Sequence, residues 1–147
     1  MGKIRFILLV NKQGQTRMSQ YYTDQVVVGA KRNIMEADIV RKCLARSENM
    51  CAFLPYDHYK VIYRQYASLF FIVGVDNDVN ELSILEFIHA FVTILDKFFE
   101  NVCELDIMFN LEKVHYILQE MVMDGTIVDT NELNVLRPLR LIDAYLE

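Results

Sequence analysis

Apolar residues follow two different rhythms along this chain, and the change of rhythm predicts its architecture. From Lys3 to Val10 they form a nearly continuous run rich in Ile, Phe, Leu and Val, as in a buried strand. Asn11-Lys12-Gln13-Gly14 reads as a turn, and Thr16 to Tyr22 returns with aromatic and polar alternation, predicting a β-hairpin. Between Asn33 and Ala45 the spacing becomes helical, with Ile34, Ala37, Val40, Cys43 and Leu44 on one face. Cys51 to Leu54 is a short strand that Pro55 is expected to end, and Asp57-His58 a turn. Tyr59 to Tyr66 forms the next strand. Leu69 to Val75, LFFIVGV, is apolar on both faces and so belongs inside a sheet covered by helices.

The longest patterned stretch runs from Asn80 to Val102, where Asp78 or Asn80 supplies the N-cap and Asn101 the C-cap. Glu86, His89, Thr93, Asp96 and Glu100 recur at steps of three and four, making one narrow polar stripe on a helix that is otherwise apolar. Such a helix must be covered on most sides, by a sheet and by other helices or a partner. After it, Glu104 to Phe109 predicts a helical turn and Leu111 to Met123 an amphipathic helix stopped by Gly125. Thr126 to Asp129 is extended, and Asn131 to Leu146 is helical with an interruption at Pro138. The order ββαβββα plus C-terminal helices predicts an α+β fold. Its core is a five-stranded antiparallel sheet flanked by helices on both faces, in one domain over residues 1–147.

Composition adds a partner to this picture. With 53% hydrophobic residues in 147, the chain holds more apolar surface than a core of this size uses, and the surplus suits an interface. A net charge of -5 and the lack of a Lys/Arg-rich stripe argue against a nucleic-acid partner. Cys43, Cys51 and Cys103 are odd in number and lack metal-ligand spacing, so reduced cytoplasmic thiols are expected. The opening MGKIRFILLVN is too short in its apolar run for a secretory leader, and Phe6 stands where a myristoylation signal needs Ser or Thr.

Catalytic signatures are sparse. Glu86-x-x-His89 and Glu112-x-x-His115 repeat the spacing of carboxylate-bridged di-iron bundles, but such sites need four helices and this chain spends its first half on strands. Phosphate-cradling and nucleophile-elbow motifs are absent. Cys103 reads as a structural core thiol. Neither a cofactor nor a metal is expected, and an enzyme is not. Arg17 and Arg64 lie on strands beside tyrosines, where a solvated face is the ordinary reading and an acidic ligand the functional one. Val92, Val102 and Ile107 suit either ordinary core or small apolar hollows beside Leu69.

Four segments carry a family resemblance: VNKQGQTR (Val10 to Arg17), VIYRQYASLFF (Val61 to Phe71), ELSILEFIHAFVTILDKFF (Glu81 to Phe99) and NVCELDIMFNLEKVHYILQEM (Asn101 to Met121). They resemble the small, or sigma, subunits of the heterotetrameric clathrin-adaptor complexes, over nearly the whole chain and in register. VNKQGQTR, CELDIMFNLEKVH and MVMDGTIVDTN look most like the branch found in the fourth adaptor complex. The resemblance implies a longin-like fold and a non-enzymatic subunit of a vesicle coat. That subunit lies against one large adaptin, with a second large subunit and a medium subunit completing the core.

Carried over position by position, the resemblance implies a site for acidic dileucine signals, [DE]xxxL[LI], in cargo tails. Ala67, Leu69, Val92, Asn101, Val102 and Ile107 match the residues that receive the two leucines, and Arg17 matches an arginine that attracts the upstream acid. Gln65 departs from relatives with a second basic residue after Arg64, and Asp24 to Lys31 departs at the approach to the first helix. The resemblance further implies peripheral attachment to trans-Golgi or endosomal membranes through the assembled complex and an Arf-family GTPase. Two alternatives keep the fold and change the role. One is a related longin-type subunit such as the small subunit of the COPI coat, and the other is a purely structural sigma subunit.

Overall fold

A computed structural model describes residues 3–22, 30–45, 53–56, 58–131, 134–138 and 140–141. The strands β1 (Ile4–Asn11), β2 (Thr16–Tyr21), β3 (Phe53–Tyr56), β4 (Tyr59–Tyr66) and β5 (Leu69–Asp76) form one antiparallel sheet in the order β2-β1-β5-β4-β3. This is the expected α+β arrangement. The adjacent inner strands β1 and β5 pair along nearly their whole length, from Ile4↔Val75 to Asn11↔Leu69. Both are buried on both faces, which is why neither alternates in sequence.

Successive residues of these strands enter two separate cores. Phe6, Leu8, Val10, Val61 and Ile72 meet Ile39, Val40 and Cys43 of α1 (Ala30–Leu44). On the opposite face Ile7, Leu9, Phe71 and Val73 meet α2 (Glu81–Phe99), α3 (Glu104–Phe109) and α4 (Leu111–Met121). The α2 helix buries Ile84, Phe87, Ile88, Phe91, Val92, Ile94 and Leu95, and its stripe residues Glu86, His89 and Asp96 are exposed as the periodicity required. Asn80 is the N-cap, its side-chain oxygen accepting from the Leu82 N–H at 2.8 Å.

Several boundaries differ from the sequence reading. Pro55 does not end β3 but lies within it, opposite Lys60. Because β3 is a sheet edge, the missing proline N–H leaves no ladder bond unmade on the open side. The C-cap of α2 is Glu100 in the left-handed conformation, and the expected Asn101 is left-handed as well, donating its N–H to Asp96 O at 3.0 Å. The α4 helix stops at Met121, and a small hairpin of β6 (Val122–Met123) and β7 (Thr126–Ile127) follows. Asp124 and Gly125, both at positive φ, make the two-residue turn favoured in such hairpins. Residues 134–138 and 140–141 are helical, and the expected interruption at Pro138 turns on residue 139, which lies outside the described residues. The first helix already runs at Ala30. The expectations for Asp24 to Gly29, for Cys51 and for Asp57 lie outside the described residues.

Gly74 shows how closely the central strands fit. A Cβ there would stand 2.2 Å from Cε1 of Phe6, whose ring lies across the glycine and packs edge-on against Tyr59. Gly74→Ala is expected to lower stability by about 1–3 kcal/mol through overpacking, read as a reduced urea midpoint at unchanged slope.

Candidate functional site

The residues singled out for peptide recognition fall at one end of the sheet, and the backbone explains their proximity. Asn11, the last residue of β1, pairs with Leu69, the first of β5. Ala67 lies in the tight β4–β5 turn at φ 53, exposed, its carbonyl accepting from the Gln65 amide at 3.1 Å. Beneath that turn, Leu69, Val92 and Ile107 join one core cluster at 2%, 5% and 0% exposure, and half-buried Val102 packs against it. Asn101 is exposed in the α2–α3 connection, which Asp96 secures by accepting the Val102 N–H at 2.9 Å. Of the four apolar members, Leu69, Val92 and Ile107 are thus buried and Val102 is half-buried, all within one core cluster on this face of the sheet.

Arg17, on β2, is drawn into the same region by α3. Its Nε donates to Glu104 Oε1 at 2.6 Å and its Nη2 to Gln15 Oε1 at 2.9 Å. Asn11, only 2% exposed, donates from Nδ2 to the same two acceptors, each at 2.9 Å, and accepts the backbone N–H groups of Gln13 and Gln15. A buried amide thus organises the β1–β2 turn and holds the first carboxylate of α3 against the arginine. Glu104 is the member that sequence reasoning missed: it lies 87 positions from Arg17, and no local spacing links them.

The Asn11 amide and then the Arg17 guanidinium lower the Glu104 carboxyl below its ordinary value of 4.5, outweighing the opposing effect of desolvation. A carboxyl depressed by folding stabilises the protein above its unfolded-state value, and that contribution is lost as pH falls through the lower folded value. Glu104→Gln is accordingly expected to flatten the acid side of the stability profile below about pH 4.5, measured by denaturation across a pH series.

Other candidates separate from this cluster. Arg64 is exposed, its guanidinium 5.7 Å from the Tyr66 ring centre. With Leu82, Leu85, Glu86 and His89 it lines a shallow depression of about 280 Å³ on the outer flank of α2. One half of the E-x-x-H pair therefore faces solvent beside an arginine, and among the described residues no three His, Cys, Asp or Glu side chains cluster as metal ligands. Cys103 is not a core thiol. It is exposed at the N-cap of α3, where backbone geometry rather than packing sets its place, its N–H donating to Asp106 Oδ2 at 2.9 Å. Cys43, on the sheet-facing side of α1, is buried. No helix among the described residues is long and apolar enough to cross a membrane.

A five-stranded antiparallel sheet with α1 on one face and α2, α3 and α4 on the other has the longin-like architecture. Residues 3–145 match the clathrin adaptor complex small chain family, and the chain belongs to it. It is 59% identical over 140 residues to the AP-4 complex subunit sigma of Arabidopsis thaliana, covering 95% of this chain and 96% of that one. Identity to the human AP-4 complex subunit sigma-1 is 53% over 144 residues, covering 98% and 99%. The fold also matches a chain of "Homology model of the full-length AP-3 complex in a stretched open conformation" at TM-score 0.76 and 27% identity, covering 97% of this chain and 94% of that one. The chain is thus a small subunit of the adaptor type, a component of vesicle trafficking and not an enzyme.

Proposed function

We propose that this chain is the sigma subunit of a fourth-type adaptor complex. It completes a heterotetramer with two large adaptins and one medium subunit, and it receives acidic dileucine signals from cargo tails. Assembly is supported by near-full-length similarity to AP-4 sigma subunits and by an apolar ridge that the monomer leaves uncovered. Leu105, Met108 and Phe109 share one face of α3 at 57%, 40% and 78% exposure, and exposed Leu111 continues the ridge into α4. Such a ridge suits burial against a large subunit.

The observation that supports the cargo reading is that Leu69, Val92, Val102 and Ile107 belong to one core cluster, with Leu69 paired to Asn11 of the Arg17 network. Burying a leucine fully is worth about 1.5–3 kcal/mol, so two leucines in adjacent hollows supply a useful affinity without catalysis. Val92 and Ile107 are buried, so on this reading the leucines enter by displacing the side chains around them. The reading places the complex at trans-Golgi or endosomal membranes, held there through its other subunits and an Arf-family GTPase. The test is binding of an acidic dileucine peptide to the reconstituted four-chain core. Saturable binding lost when both leucines become alanine supports the reading; equal binding of both peptides leaves a purely structural sigma subunit.

A further inference from the structure

The acidic end of this site is already filled from within the chain. A guanidinium receives a carboxylate best through two parallel donors, and the side-on fork of Arg17 comprises Nε and Nη2. Nε is given to Glu104 and Nη2 to Gln15, while buried Asn11 clamps both acceptors in place. An incoming carboxylate thus meets a neutral pair and a like charge instead of a free cation.

We propose that Glu104 is a built-in competitor for the acidic residue of the peptide, and that its release from Arg17 gates acidic dileucine binding. This rests on the cargo reading above. Among the described residues, both bonds to the Glu104 carboxylate end on Oε1, from Asn11 and Arg17. The Glu104 side chain is 24% exposed, which gives the displaced carboxylate a short path to water. Glu104 is also the first residue of α3, and Ile107 of the same short helix lines the leucine cluster. Displacement at the acidic end and opening at the apolar end therefore act on one six-residue element. The latch narrows the advantage of an acidic peptide over one with leucines but no acid, because only the acidic peptide has to displace Glu104 from Arg17.

The experiment compares four-chain cores carrying wild-type chain, Glu104→Gln or Glu104→Ala, titrated with a fluorescent [DE]xxxLL peptide and its glutamine-for-acid counterpart. A partly exposed ion pair contributes little, so removing the competitor is expected to tighten the acidic peptide by about 1.4- to fivefold. The glutamine peptide is expected to bind as before, and Arg17→Gln to abolish the gain. Leucine-dependent binding that Glu104→Gln leaves unchanged or weakens, with the core assembled in equal amounts, overturns the gate while sparing the cargo reading. Absence of leucine-dependent binding by every core overturns both.

Discussion

Phe91→Ala is expected to remove about 3–5 kcal/mol from the stability of this chain, a large share of the roughly 5–15 kcal/mol that holds a domain together. Phe91 is 1% exposed at the middle of α2. Its ring stacks on Phe87 at 6.1 Å between centroids and meets Phe71 of β5 edge-on at 6.0 Å, so it joins the helix to the inner strand. Truncation leaves a cavity that rings on both elements cannot fill without breaking their own contacts. Urea denaturation of the purified chain should show a much lower midpoint at unchanged slope. Leu82→Ala, one helix face away at 61% exposure, should stay within about 0.5 kcal/mol of the parent. A Phe91→Ala loss below about 1 kcal/mol would mean that α2 is not packed as described.

Val92→Asp, the adjacent change, is expected to be comparably severe, at about 3–5 kcal/mol, for a different reason. The side chain is 5% exposed within an apolar core cluster that also holds Leu69 and Ile107. A carboxylate placed there loses its hydration without gaining a partner, and leaving a buried charge unpaired has a penalty of this size. The measurement is the yield of folded chain together with its denaturation midpoint. Near-parental stability would show instead that water reaches Val92, as in a pocket standing open. The substitution therefore reports first on whether the hollows are closed, and only in an intact assembled core does it report on cargo.

The two periodicities explain how much of this fold was legible before any coordinates. The strands β1 and β5 announced themselves by uninterrupted apolar runs, and α2 by a polar stripe one residue wide, because burial on both faces leaves no other pattern. Pro55 misled because its effect depends on whether a strand is central or at an edge, which is a property of the sheet. The β6–β7 hairpin was signalled by Asp124-Gly125, but two-residue strands are too short for alternation to register. In the site, the resemblance singled out Arg17 and the apolar residues. Its electrostatic partner Glu104 was hidden, since the contact exists only after β2 and α3 are brought together across 87 residues. Exposure of Cys103 was equally illegible, because a helix cap shares the local sequence of a buried turn.

Adaptor membership makes a quantitative demand on the company this chain keeps. Purification of the tagged chain from cell extract at near-physiological expression, with quantification of everything retained, would put that demand to the test. The expected result is two large adaptin-type chains and one medium chain, each in a one-to-one ratio with the bait. Recovery of the chain alone, or with a set of partners lacking those chains, would contradict its assignment as the sigma subunit of a four-chain adaptor.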